Sequence, residues 1–241
     1  MITQYRIDLG QVPGHPLYGD SAYRLYACLL EQLENAGAEW LHEYGMVSQF
    51  LGFSRENQRY QWTLNLLNDD TAAVLTPVME QLKSVTIEHQ EFPVLERSVE
   101  IVGLEDLLAR GREMADRRCT VRFHTPTAFK QSGRYMIFPQ ERLILQSLVM
   151  QWNEVFPMCT LDDEDAFQAM LSGIHIVDYQ LRTVRFSLKG VRIPGYVGSC
   201  VVEARLALPL QELWNTLLAF ANYAGVGIKT GLGMGGVSVC R

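Results

Sequence analysis

The stretch YAGVGIKTGLGMGGVSV, residues 223–239, has six glycines among its 17 residues. This glycine content predicts a loop close to the C-terminus. In the preceding segment, 209–225, apolar residues recur at i, i+3 and i+4, which predicts an amphipathic helix. The residues at 236–240 are typical of a short strand. We therefore predict a helix, a glycine-rich loop carrying Lys229 and Thr230, and a terminal strand.

Two phosphate-binding loops are excluded here. The segment GLGMGG, 231–236, matches G-x-G-x-x-G, but that dinucleotide pattern needs a strand before it and a helix after it. In this chain a predicted helix precedes the segment and only five residues follow it. A P-loop needs glycine directly before its lysine, and Ile228 occupies that position before Lys229. The match of residues 231–236 to G-x-G-x-x-G is therefore fortuitous, and no P-loop is present.

Outward from this loop, hydrophobic periodicity predicts one element order, β-α-β-β-α-β, in both halves of the chain. In the second half the segments are 119–125, 138–156, 174–188, 200–208, 209–225 and 236–240. In the first half they are 2–9, 19–37, 46–53, 59–67, 68–84 and 97–104. This order is typical of the ferredoxin-like fold. The predicted fold class is α+β, with tandem ferredoxin-like (RRM-like) domains.

The predicted domain boundary lies in the polar stretch ARGREMADRR, 109–118. We assign residues 1–112 to an N-terminal domain and residues 118–241 to a C-terminal domain that carries the glycine-rich loop. The five cysteines are scattered and never spaced as C-x-x-C, which is typical of reduced thiols. With no apolar run long enough to span a membrane and no signal-peptide pattern, we expect a cytoplasmic protein.

Charge is distributed unevenly between the two halves. The net charge of −6 argues against a nucleic-acid partner at first. Residues 1–109, however, hold 6 Lys and Arg against 16 Asp and Glu, a net charge of −10, and residues 110–241 hold 15 against 11, a net charge of +4. This asymmetry favours a polyanion that binds to the second half, although chance segregation of charge fits equally well.

Three stretches resemble the CRISPR-associated repeat-processing endoribonucleases of the RAMP superfamily. The family signature is a pair of glycines one residue apart, a basic middle, and a second such pair before the last strand. In this sequence the matching positions are Gly225, Gly227, Lys229, Thr230, Gly233 and Gly235. The segment at 125–148, TPTAFKQSGRYMIFPQERLILQSL, resembles the family's entry into its second domain. The segment at 176–198, IVDYQLRTVRFSLKGVRIPGYVG, resembles its central hairpin.

The resemblance implies an enzyme that cleaves CRISPR repeat RNA in precursor transcripts to give mature guide RNAs, with no metal or other cofactor. The 2′-hydroxyl attacks the adjacent phosphate and leaves a 2′,3′-cyclic phosphate and a 5′-hydroxyl. One alternative is a non-catalytic RAMP-type subunit that binds guide RNA inside a CRISPR effector complex. A second is a two-domain protein that binds a small ligand or regulates another protein, which fits the basic second half less well.

His42, in the segment EWLHE, sits where the family often places a catalytic histidine. Histidine suits this reaction because its ordinary pKa of about 6.5 lets it take and give protons near neutral pH. The alternative for His42 is a surface histidine on an amphipathic turn, and His124 is the reserve candidate. Lys229 is the second predicted catalytic residue, because its charge would stabilise the phosphorane. Ser48 and Gln49 could hydrogen-bond a phosphate oxygen.

Some family members add a tyrosine from the first helix and a lysine shortly after the histidine. No Lys or Arg occurs between His42 and Arg55, so this second partner is not identified. Tyr23 and Tyr26 lie on the predicted first helix, and the spacing of Tyr26 favours the core. The acidic run at 162–165, DDED, could be mistaken for a metal site. We expect it to cap the helix that follows it, because carboxylates favour helix N-termini.

The predicted RNA contacts combine the glycine loop with basic residues of the second half. They are Gly225, Gly227, Lys229, Thr230, Gly233, Gly235, Arg182, Arg185, Lys189, Arg192 and Lys130. The alternatives are a glycine-rich turn that only packs against the sheet, and a solvated basic edge. The predicted partner is CRISPR repeat RNA, with no membrane partner. A transient association with a multisubunit effector complex and a homodimer both stay open.

Overall fold

The computed structural model describes residues 1–114 and 116–240. The helices are α1 Ala22–Leu30, α2 Asn35–Tyr44, α3 Asp69–Gln81, α4 Leu104–Glu113, α5 Glu141–Val155, α6 Glu164–Gly173 and α7 Leu208–Ala224. The strands are β1 Ile2–Leu9, β2 Val47–Ser54, β3 Arg59–Leu66, β4 Ser84–Ile87, β5 Gln90–Val102, β6 Arg118–Thr127, β7 Phe129–Gln131, β8 Arg134–Met136, β9 Ile174–Leu188, β10 Val191–Ala204 and β11 Val237–Cys240. Short 3-10 turns lie at Gly19–Ser21 and Thr230–Leu232.

The N-terminal sheet has the strand order β2-β3-β1-β5-β4, and its neighbouring strands are antiparallel. Without β4, its first and third strands are central, as the β-α-β-β-α-β order predicts. Strand β4, which was not predicted, pairs with the start of β5. Strand β5 begins at Gln90, seven residues before the predicted start, because the stretch ahead of Arg97 is mostly exposed and shows no clean alternation.

The C-terminal sheet has the order β11-β6-β10-β9, so the ferredoxin-like arrangement occurs twice and the predicted fold class is confirmed. Strand β9 occupies the predicted segment, whereas β10 begins at Val191, nine residues early. Pro194 and two glycines interrupt the strand pattern there. One of them is needed, since Gly198 has φ +126° and a Cβ there would lie 2.0 Å from the Gln180 carbonyl oxygen.

The polar stretch predicted as the domain boundary begins inside helix α4, which the sequence analysis missed. Leu107 and Gly111 are buried on the face of α4 that packs against α7. A Cβ at Gly111 would lie 2.1 Å from Thr216 Oγ1, so glycine lets the two helices approach closely. Residue 115, inside the same stretch, lies outside the described residues. The division at 112 and 118 stays a prediction.

The two halves share part of one hydrophobic core. Ile2, Val102 and Leu107 from the first half are buried in the same cluster as Trp152 and Trp214 from the second. Complete burial of such side chains contributes about 1.5–3 kcal/mol each, so this cluster fixes one sheet against the other. Within the described ranges, none of the helices has the length and apolar character needed to cross a membrane.

Candidate active site

His42 lies in the last turn of α2, and its side chain is exposed. The neighbouring Leu41 is buried and holds this turn against the N-terminal core. The helix ends at Gly45, whose N–H donates to the Leu41 carbonyl at 3.0 Å. The exposed His42 side chain is therefore held on an ordered turn where a large ligand can reach it.

The glycine-rich loop packs directly on the N-terminal domain, close to α2. Gln49 in β2 donates its Nε2 hydrogen to the Gly231 carbonyl at 2.9 Å. A Cβ at Gly233 would lie 2.8 Å from Ala22 Cβ in α1. Thr230 and Gly45 line one cleft of about 220 Å³. His42 itself does not line this cleft; it lies on α2 three residues before Gly45, about 4.5 Å along the helix axis.

The backbone amides of the loop fall into two groups. Those of the four predicted glycines donate inside the protein. The Gly225 N–H donates to the Ala221 carbonyl and the Gly227 N–H to Ser147 Oγ. The Gly233 N–H donates to the Thr230 carbonyl and the Gly235 N–H to the Pro126 carbonyl. In contrast, the N–H groups of Lys229, Thr230 and Gly231 have no acceptor among residues 1–114 and 116–240. These three successive amides, with the exposed Lys229 side chain, form the part of the loop that is free to bind an anion.

The glycines themselves are required by the backbone path. Gly225, Gly227, Gly233 and Gly235 all have positive φ, between 67° and 102°. At Gly227 a Cβ would lie 2.4 Å from the Ala128 carbonyl oxygen. The predicted alternative, a turn that packs against the sheet, therefore describes these four residues well. The four glycines shape the loop, and the amides without an acceptor among the described residues belong to 229–231.

Ser48 and Gln49 do not point to solvent, so the prediction that they hydrogen-bond a phosphate is wrong for this structure. Both side chains are buried, and they connect the two domains. Ser48 Oγ donates to the Tyr223 carbonyl and accepts from Asn65 Nδ2. Gln49 Oε1 accepts from Trp62 Nε1 at 2.9 Å. As neighbours in β2 they point to opposite faces of the strand, yet both hydrogen-bond to the second domain, which sequence spacing did not reveal.

Replacing Gln49 by leucine is expected to lower the free energy of unfolding by about 1–3 kcal/mol, because the buried Trp62 N–H loses its acceptor. The change also removes the bond that holds the Gly231 carbonyl. Urea unfolding followed by tryptophan fluorescence measures the effect. Gln61→Leu is the matched control, since the Gln61 side chain is exposed. Equal stability of the two variants would contradict the bridging role.

The basic residues of the β9–β10 hairpin point in different directions. Arg185 and Arg192 are diagonal neighbours on one face of the hairpin, and Arg182 lies on the other face. Lys189 is at the hairpin tip, with its Nζ 5.3 Å from the centre of the Tyr23 ring. All four side chains are exposed. They form a basic hairpin, and one ligand phosphate cannot contact all of them.

Lys130 extends the candidate site along the other side of the loop. It lies on β7 and lines a cleft of about 230 Å³ with Ser147, Gly227 and Ile228. Gly227 also lines the cleft that contains Gly45, so the two clefts meet at the loop. Lys130 therefore adds a positive charge beside Gly227 and Ile228, in addition to Lys229 in the middle of the signature.

The two remaining candidates, Tyr26 and His124, lie in different environments. Tyr26 is buried, and burial raises its pKa to about 12, so it is a core residue as its spacing predicted. His124 stacks on Phe50 and its Nε2 lies 2.7 Å from Ser238 Oγ. Burial, and then the charge of Arg122, lowers the pKa of His124 below its usual value. His124 lines a second cleft, between the two sheets, and not the cleft beside α2.

The acidic run at 162–165 caps a helix, as predicted. Asp163 accepts a hydrogen bond from the Ala166 N–H at 3.0 Å at the start of α6. Among the residues that the structure describes, no group of three or more His, Cys, Asp or Glu side chains is placed to hold a metal ion.

Comparison with known proteins identifies related sequences. Residues 121–237 match the family described as CRISPR-associated endoribonuclease Cas6. A protein of that description from Streptococcus thermophilus is 31% identical over 231 residues, which cover 93% of this chain and 93% of the relative. One from Mycobacterium tuberculosis is 31% identical over 127 residues, which cover 51% of this chain and 39% of the relative.

Solved structures share the fold at lower identity. The structure named Cas6 (TTHA0078) product complex superposes with a TM-score of 0.81 at 22% identity and covers 100% of both chains. Thermus thermophilus Cas6 (TTHB231) superposes with a TM-score of 0.75 at 24% identity, covering 99% of this chain and 98% of the other. A RAMP protein described as binding different RNA substrates has a TM-score of 0.63 at 15% identity and covers 99% of this chain and 100% of the other.

Proposed function

This chain belongs to the CRISPR-associated endoribonuclease Cas6 family, and we propose that it cleaves CRISPR repeat RNA in precursor transcripts without a metal ion. His42 is the acid–base residue. Lys229 and the free amides of 229–231 hold the scissile phosphate. The repeat RNA approaches along the basic surface formed by Lys130, the glycine loop and the β9–β10 hairpin.

In the proposed reaction, a new bond forms between the 2′-oxygen and the adjacent phosphorus while the bond from phosphorus to the 5′-oxygen breaks. His42 takes the proton of the 2′-hydroxyl and gives a proton to the departing 5′-oxygen. The products are a 2′,3′-cyclic phosphate and a 5′-hydroxyl. Negative charge builds up on the non-bridging oxygens in the transition state, where amide donors and an ammonium group stabilise it most.

Two features support the proposal, and the segments that carry them border one cleft at Gly45 and Thr230. The last turn of α2 presents an exposed histidine, and the adjoining loop presents three successive unpaired amides beside an exposed lysine. Unpaired backbone donors in a turn form an anion-binding concavity. His42 lies three residues before Gly45, which lines this cleft, whereas His124 lines the other cleft.

The test is cleavage of the host's repeat RNA in EDTA, with analysis of both product ends. We expect a single cut that leaves a cyclic phosphate and a 5′-hydroxyl. An RNA with a 2′-deoxy nucleotide at the scissile position should bind and stay intact, because it lacks the nucleophile.

Two results would contradict the proposal. Loss of cleavage in EDTA with recovery in Mg²⁺, or products with a 3′-hydroxyl and a 5′-phosphate, would replace the mechanism with a metal-dependent one. Tight binding without cleavage of any repeat RNA would favour the alternative, a non-catalytic RNA-binding subunit of an effector complex.

A further inference from the structure

A cavity of about 530 Å³ lies between the N-terminal domain and the tip of the β9–β10 hairpin. Its walls come from the segment before α1, from the first turn of α1, and from the tips of the β4–β5 and β9–β10 hairpins. The side chains that matter here are Tyr18, Asp20, Tyr23, Arg24, Glu88 and Lys189. It is separate from the cleft beside α2, which none of these residues lines.

Both hairpin tips at the rim have unusual backbones. Glu88 and His89 have φ of 51° and 65°, and Lys189 and Gly190 have φ of 47° and 81°. Two-residue turns of this type favour Asn-Gly or Gly-Gly, since side chains are costly at positive φ. Glu88 and Lys189 nevertheless occupy these positions and carry their charges to the rim. Left-handed backbone at non-glycine residues is concentrated at functional sites.

The charges in the cavity are only partly neutralised. Arg24 of α1 pairs with Glu88 of the β4–β5 turn, and both residues belong to the N-terminal domain. Lys189 lies over the Tyr23 ring and has no carboxylate partner, and Asp20 has no cationic partner, among residues 1–114 and 116–240. The cavity therefore offers one free ammonium group and one free carboxylate.

Two tyrosine rings complete the chemistry. Tyr18 is 66% exposed, so its ring is available for stacking. Tyr23 is half-buried and packs against a small hydrophobic cluster that also contains Leu232 of the glycine loop. This cluster connects the Tyr23 wall of the cavity with the glycine loop, although no loop residue lines the cavity itself.

We propose that this cavity holds an unpaired nucleotide of the RNA substrate, away from the scissile bond. The base stacks on the exposed Tyr18 ring, a phosphate binds the Lys189 ammonium group, and Asp20 accepts a hydrogen bond from an amino or imino group of the base. Stacking on aromatic side chains with a nearby cation is a general mode of single-strand binding. The inference rests on the proposed function, because it requires RNA as the substrate.

The test is a base-by-base scan of RNA affinity. Each nucleotide of the repeat RNA outside the scissile pair is replaced in turn by an abasic nucleotide, and binding is measured for wild type and Tyr18→Ala. We expect one position where base removal weakens binding to wild type by about 10-fold. At that position base removal should cost Tyr18→Ala much less affinity than it costs wild type, because the stacking partner is already absent and only the Asp20 contact to the base is lost.

Lys189→Ala should weaken RNA binding and reduce the dependence of log affinity on log salt by about one unit. Lys83→Ala is the matched control, an exposed lysine just before β4, and should match wild type. Exposed side chains are chosen so that the variants fold, which thermal unfolding verifies.

The outcomes separate the two claims. If wild type cleaves the repeat and no position shows coupling to Tyr18, the inference is overturned and the proposed function stands. If wild type neither binds nor cleaves the repeat, the proposed function fails. If free nucleoside monophosphates bind wild type and not Tyr18→Ala, while the RNA scan shows no coupling, the cavity is a site for a free nucleotide instead.

Discussion

Replacing His42 by alanine is expected to lower the single-turnover cleavage rate of repeat RNA by about 10²- to 10⁴-fold, the usual contribution of a positioned acid–base group. The affinity for RNA should stay close to that of wild type, because the phosphate contacts are assigned to the loop at 229–231. The His42 side chain is exposed and has no hydrogen-bond or ion-pair partner among the described residues, so the fold should be unaffected.

The matched control is His175→Ala, which removes an exposed histidine from β9. This variant should cleave at the wild-type rate. Rapid quench with end-labelled RNA gives the rates, and a gel shift on the same samples gives the affinities. Full activity of His42→Ala together with loss of activity in His124→Ala would transfer the chemistry to the cleft between the sheets.

Gly235→Ala is expected to lower the free energy of unfolding by about 2–5 kcal/mol and to abolish tight RNA binding. Gly235 has φ +67°, and a Cβ there would lie 2.2 Å from the Val226 carbonyl oxygen. Its carbonyl accepts from the Val226 N–H at 2.9 Å, and its own N–H donates to the Pro126 carbonyl at 3.1 Å. These bonds fix both ends of the loop, so their loss displaces the free amides between them.

Gly133→Ala separates the two causes of the lost stability, which are the left-handed backbone and the close contact of the added Cβ. Gly133 has φ +78°, but no atom lies within 4 Å of the position of its Cβ. It should therefore show only the left-handed backbone penalty, about 1–2 kcal/mol, with RNA affinity retained. Urea unfolding and RNA titration of both variants measure the difference. Equal losses would show that the close packing of the glycine loop is unimportant.

The sequence predicts most of the fold. The elements that it does not predict are those in which the pattern of apolar residues is weak. Helix α7 and strand β9 have strong apolar periodicity, and both lie at the predicted positions. Strand β4 has only four residues, so no period can be recognised in it. In helix α4 charged residues dominate, which is typical of a linker, although Leu107 and Gly111 form a buried face.

The candidate site could be predicted only in part. The sequence identifies His42, Lys229 and the glycines through residue type and spacing. It does not show which amides are free, because that depends on bonds to distant residues, such as the one from Gly227 to Ser147. It also could not show that Gln49 faces the interface, since only the pairing of β2 with β3 and the position of the loop determine this.

The central claim is that the scissile phosphate binds where the end of α2 meets the loop at 229–231. The most direct measurement is a crystal structure of the chain with repeat RNA that carries a 2′-deoxy nucleotide at the scissile position. We predict a scissile phosphate oxygen about 3 Å from the amide nitrogens of 229–231, with the His42 imidazole beside the 2′ position. A scissile phosphate beside His124, with these amides facing no phosphate, would contradict the claim.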